Sequence, residues 1–144
     1  MRNLLQERSQ IETISSDKKR AEAVSADEEL SRFIFSSEYL NGNRTIIKAA
    51  AFMPNRTLKT SVFRKNRMLP DEYISKKIEI ANLRNKELKA VGLIKVSSVL
   101  STDLQVEPEE SDHKWHADLT GWPESKHEQK NIAQVLAKAA SIEY

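Results

Sequence analysis

Two of the three histidines, two aspartates and both tryptophans of this chain fall in one run, Asp112-His113-Lys114-Trp115-His116-Ala117-Asp118-Leu119-Thr120-Gly121-Trp122-Pro123. Extended backbone sends alternate side chains to opposite faces. A strand here puts His116, Asp118 and Thr120 on one face and Ala117 and Leu119 on the other. A carboxylate two residues from an imidazole on one face can orient the ring and favour its charged form, as general acid–base chemistry requires. His116 and Asp118 are therefore the candidate catalytic pair, with His113 as a third member. A continuous strand separates His113 from His116, and only a turn near Lys114 brings them together. The competing structural reading is a neutral histidine and a carboxylate that satisfy neighbouring backbone groups.

The spacing His113-x-x-His116 would present two facing ligands from a helix, but this segment reads as a strand. Zinc needs at least three protein ligands, and Asp112, Asp118 or His127 would have to complete the set. No metal site and no cofactor are expected. Gly121-Trp122-Pro123 reads as a strand-to-helix corner. The glycine permits an unusual backbone angle, the proline opens a helix, and Trp122 covers the junction. With three glycines in all, no phosphate cradle of the P-loop or G-x-G-x-x-G type is present, nor a G-x-S-x-G elbow. Ser36, Ser37, Ser97 and Ser98 are too common a residue type to stand out as nucleophiles.

The second candidate surface is electrostatic. The formal net charge of +2 conceals fourteen bases against five acids in residues 30–95, flanked by acidic segments on both sides. Between Glu38 and Asp71 there is no acid but seven bases: Arg44, Lys48, Arg56, Lys59, Arg64, Lys65 and Arg67. Interleaved with Phe52 and Phe63, they could follow a phosphate backbone or an acidic protein surface. No RNP-type motif, helix-turn-helix pattern or zinc-finger spacing accompanies them. Alternate bases on a strand also face opposite ways, so a solvated charged face is the plain alternative.

The elements that would carry these residues follow from composition and periodicity. At 144 residues with 39% hydrophobic content, the chain fits one domain with a proper core. Residues 1–29 read as a polar arm, partly helical or flexible, with a capping-box spacing at Ser25 to Glu28. Residues 30–65 read as three antiparallel strands: Arg32 to Phe35, a segment at Thr45-Ile46-Ile47, and Lys59 to Arg64. Ala49 to Phe52 fits strand or helix. Pro70, Asp71 and Glu72 open a middle helix with Ile74, Ile78 and Ala81 as its apolar stripe, ending near Asn82 and Asn85. Leu88 to Lys95 is a strand broken by Gly92. Ser97 caps a single turn, Leu104 to Val106 is a short strand stopped by Pro108, and Trp115 to Thr120 is the next strand. Pro123 and Glu124 open a final helix with the stripe Ile132, Val135, Leu136, Ala139 and Ala140. The expected fold is a single α+β domain over 30–144: a mostly antiparallel sheet, a middle helix, and a long C-terminal helix packed on one face.

No cysteine is present, which removes disulfides and thiolate chemistry and suits a reducing compartment. No apolar run reaches membrane-spanning length, and the N-terminus carries charge where a signal peptide needs an apolar stretch. The cytoplasm is the expected location.

The pattern His116-Ala117-Asp118-Leu119-x-Gly121-Trp122-Pro123-x-x-Lys126-x-x-Gln129-Lys130, followed by an Ala/Leu-rich helix, resembles a family of small uncharacterised bacterial proteins. Ala51-Phe52-Met53-Pro54 and Ser61-Val62-Phe63-Arg64 are similar to an upstream motif of that group. The resemblance covers roughly residues 30–140. It implies a bacterial or mobile-element origin and carries over no catalytic residue. The leading functional expectation is a small non-enzymatic binding or accessory module whose basic central region meets nucleic acid or an acidic protein. The rival is a small hydrolase or nuclease using His116 and Asp118, and a third reading is a toxin or immunity-type component whose arm orders on its partner.

Overall fold

The computed structural model describes residues 23–144. The expectations for residues 1–22 of the arm lie outside the described residues. Six strands, β1 (Glu29–Ile34), β2 (Thr60–Arg64), β3 (Ala90–Lys95), β4 (Gln105–Pro108), β5 (His116–Thr120) and β6 (Ser141–Glu143), form one sheet in the order β4-β5-β2-β1-β3-β6. Every pairing is antiparallel. Among the described residues three α-helices accompany it: α1 (Pro70–Arg84), the short α2 (Val96–Leu100) and α3 (Lys126–Ala139). The α+β class, the middle helix and the long C-terminal helix all stand as the sequence predicts.

Strand alternation divides the core between the two faces of the sheet. Leu30, Ile34, Val62, Ala90, Ile94, Ala117 and Leu119 point to the face covered by α3, where Ala133, Leu136 and Ala137 meet them. Phe33, Phe63 and Val91 point to the opposite face, where they meet Tyr73 and Ile80 of α1. Helix α1 starts with Pro70 at its first turn, and Glu72 accepts from the Leu69 N–H. It ends at Asn85, whose φ of 54° is the left-handed conformation that closes helices.

Several local expectations change. Thr45 to Ile47 is not a strand: only a single bridge joins Leu40 to Ile47, and 3-10 turns occupy Ser37–Tyr39 and Ala49–Phe52. Asn41 explains this, because its side-chain oxygen accepts from the N–H groups of Thr45 and Ile46 and closes the segment into a loop. Ser25 to Glu28 forms a turn rather than a helical one, and β1 begins directly after it. Gly92 does not break β3. It pairs with Arg32, and a Cβ there would lie 3.1 Å from Ile47 Cδ1 and 3.4 Å from a Phe52 ring carbon. The glycine lets the 3-10 turn press onto the sheet.

Both helix stripes are rotated from their predicted positions. α1 buries Tyr73 and Ile80 and leaves Ile74 and Ile78 exposed. α3 buries Gln129, Ala133, Leu136 and Ala137, while Val135 faces solvent. Ser125, not Pro123, caps α3. Gln129 is at home in the core because its amide donates to the Pro123 carbonyl at 2.8 Å, tying the helix to the corner before it. That corner behaves as expected: Gly121 has φ of +88°, and the buried Trp122 indole donates to the Leu119 carbonyl.

Candidate functional site

The antiparallel register of β2 and β5 pairs Ser61 with Asp118 and Phe63 with His116. All four side chains therefore project to the α1 side of the sheet. His116 and Asp118 share a face, as the alternation predicts, with Asp118 Oδ1 at 3.8 Å from His116 Nε2. The closer partner of Nε2 is Ser61 Oγ, at 2.5 Å. On the other side of the ring, Nδ1 lies 2.7 Å from the backbone carbonyl oxygen of Glu109. A carbonyl only accepts, so Nδ1 carries the proton. Whenever the ring carries this single proton, Nε2 is a bare acceptor and the Ser61 hydroxyl donates to it. The Glu109 carbonyl is itself held in place, because the Glu109 N–H donates to the His116 carbonyl at 2.9 Å.

His113 joins this group through the turn that the alternation argument required. Trp115 adopts φ of 67°, the His116 N–H reaches back to the His113 carbonyl, and β5 begins only at His116. The rings of His113 and His116 meet the Phe63 ring edge-on, with centroids 6.0 and 5.3 Å away. His113 Nδ1 lies 3.6 Å from a Glu79 carboxylate oxygen of α1.

Ser61, His113 and His116 line a cavity of about 260 Å³ between the sheet and α1. Its apolar walls include Phe33, Phe35 and Phe63, and its charged lining includes Arg32, Arg84, Glu109 and Asp112. Asp118 lies just behind this lining with its side chain 11% exposed. Burial pushes its carboxyl above the usual aspartate range, and the His116 and Lys59 charges pull it back only in part. Among the described residues no side-chain cluster of three or more His, Asp or Glu is arranged to hold a metal ion. His127 sits exposed on α3, on the other side of the sheet.

Ser61, Arg32, Arg84 and Glu109 escape sequence reasoning. Ser61 gains its meaning from a strand pairing across 55 residues. Arg32 did leave a signal, since it falls between Leu30 and Ile34 on the apolar face of β1 and is the one charged residue there.

The seven bases of the acid-free window do not share one role. Arg64 is fully buried, with Nε 2.7 Å from a Glu28 carboxylate oxygen. Lys65 is 3.1 Å from Glu143. Arg44, Lys48, Arg56, Lys59 and Arg67 are exposed. Tyr144, next to edge strand β6, donates to the Arg44 carbonyl. Lys59 directly precedes β2, three strands from β6 in the sheet order. Three strand spacings are roughly 14 Å. No protein-family model matches the chain, and no curated protein or solved structure resembles it closely enough to count as a match.

Proposed function

We propose that the protein is a small hydrolase in which Ser61 is the nucleophile and His116 its general base. The observation that carries this reading is the chain of contacts from Ser61 Oγ to His116 Nε2 and from His116 Nδ1 to the Glu109 carbonyl, set in the wall of a cavity. A nucleophile bonded to a base that a third group orients is the general arrangement for activating a hydroxyl. The substrate class that suits it is a small ester. Ser61 Oγ attacks the ester carbonyl while its proton passes to His116 Nε2. The imidazolium returns that proton to the departing alkoxide, leaving an acyl-serine. Water, deprotonated by His116, then releases the acid and restores the hydroxyl.

Two carboxylates favour the charged ring during this cycle. Asp118 lies 3.8 Å from Nε2 and Glu109 Oε1 lies 3.7 Å from Nδ1. Asp118 thus acts as an electrostatic stabiliser rather than as the group that orients His116. The dispersal of the seven bases supports the acidic-partner reading less.

The test is hydrolysis of p-nitrophenyl esters together with labelling by a fluorophosphonate. Ser61→Ala and His116→Ala should each lower kcat/KM by about 100-fold or more with the thermal melt retained. The label should fall on Ser61. Hydrolysis unchanged in Ser61→Ala, or a label on another serine, overturns the reading.

A further inference from the structure

Arg32 projects from β1 on the α3 face, between Leu30 and Ile34, and is also among the residues that line the cavity on the α1 side. The strand register explains this double position. β1 pairs with β2 at Leu30↔Arg64 and Ser31↔Phe63, and Arg32 then takes over from the ladder. Its Nε donates to the Ala51 carbonyl at 2.8 Å and its Nη1 to the Ser61 carbonyl at 2.9 Å. Two of its five N–H donors are thereby used. No carboxylate lies within ion-pair distance of Arg32 among the described residues. The charge that acts on it most is another cation, Arg84, whose guanidinium sits 5.0 Å over the Phe35 ring, while Tyr39 acts in the opposite sense. Burial and that like charge push the Arg32 guanidinium down to about 10. A half-buried cation that faces a like charge and has no carboxylate partner is poised to take an anion.

The walls beside it are flat and apolar. Phe33 and Phe63 stack at 5.1 Å with an interplanar angle of 18°. The acids that share the cavity, Glu109 and Asp112, form no ion pair with either arginine among the described residues. The volume of about 260 Å³ suits one ring with a substituent, not a polymer strand.

We propose that this cavity binds a small aromatic oxyanion, its ring against the phenylalanine wall and its charge on Arg32, with Arg84 as the second cation. Binding does not depend on the hydrolysis proposed above. If both hold, the substrates are esters that carry such an anionic ring.

The test is calorimetric titration of the full chain with benzoate, phenyl phosphate, inorganic phosphate and uncharged benzyl alcohol. Benzoate or phenyl phosphate should bind saturably, and at least tenfold more tightly than benzyl alcohol or inorganic phosphate. Whichever of the two binds more tightly identifies the oxyanion as carboxylate or phosphate. Arg32→Met should lose at least tenfold in affinity. Because Arg32 also bonds two backbone carbonyls, the exposed Arg84→Gln serves as a second variant and should lose at least threefold. Saturable binding by a protein that hydrolyses no p-nitrophenyl ester supports this proposal while sinking the hydrolytic one, which separates the two. Absence of saturable binding by both aromatic anions, or wild-type affinity in Arg84→Gln and in a folded Arg32→Met, overturns it.

Discussion

Asp118 occupies a position that stability alone would not favour. Its side chain is 11% exposed, and among the described residues it accepts no side-chain hydrogen bond, so its charge is answered mainly by His116 at 3.8 Å. Burial raises the folded-state carboxyl above its unfolded value. The sign of the linkage follows. The protonated form suits the folded state, so this contribution is intact below the unfolded pKa and is lost as pH rises through the folded one. Asp118→Asn should therefore raise Tm relative to wild type at pH 7, and the gain should shrink toward zero at pH 3. A Tm difference that stays constant across that range would show that the carboxylate is better solvated than its surroundings imply. In the hydrolase reading the same substitution should lower kcat, because the imidazolium loses its nearest carboxylate on the Nε2 side.

Helices α1 and α3 show how tertiary contact selects among apolar residues that periodicity treats alike. α3 buries Ala133, Leu136 and Ala137 against the sheet and against the turn holding Ala51 and Phe52, while Val135 points outward. Leu136→Ala should cost about 2–5 kcal/mol in chemical denaturation. Val135→Lys should change stability by no more than about 0.5 kcal/mol, as exposed substitutions usually do. Comparable losses at the two positions would place the buried stripe where periodicity alone puts it. The rotation has a physical cause. Small side chains at Ala133 and Ala137 let the helix approach the 3-10 turn closely, and Gln129 is buried because the Pro123 carbonyl satisfies its amide. On α1, Tyr73 outcompetes Ile74 for the core because its hydroxyl reaches partners at both ends. It lies 2.8 Å from Ser31 Oγ and donates to Glu143 Oε1 at 2.7 Å.

Two ionic clasps hold the whole molecule across long stretches of chain. Glu28 grips Arg64 with both oxygens, at 2.7 and 3.0 Å, joining the entry to β1 with the end of β2. Glu143 gathers Tyr73, Lys65 and Lys77, joining β6 to α1. The first clasp is buried and the second half-exposed, and solvent screening makes them unequal. Glu28→Ala should destabilise the fold by on the order of 3 kcal/mol, because Arg64 loses the carboxylate that faces it inside the core. Chemical denaturation of the variant checks this, and a loss below about 1 kcal/mol would mean that solvent reaches the pair. Arg64 also explains why the acid-free window is not simply a binding face. Its most deeply buried base is a structural residue.

At the same scale, what the chain alone determined is the set of local patterns. The α+β class follows from strand alternation and helix periodicity, and the Gly121-Trp122-Pro123 corner from turn chemistry. The shared face of His116 and Asp118 follows from the two-residue repeat of a strand. These rest on neighbours in sequence, which a single chain displays. The partner of His116, the cavity and the fate of the basic window rest on pairings between distant segments. Ser61 meets His116 only because β2 lies beside β5, and Arg32 reaches the Ser61 carbonyl where β1 and β2 stop pairing after Ser31. Strand β6 likewise exists because β3 offers it an edge. Strand order and register are set by the fit of the whole core, so the tertiary structure alone decides which of the chemically able residues face one another.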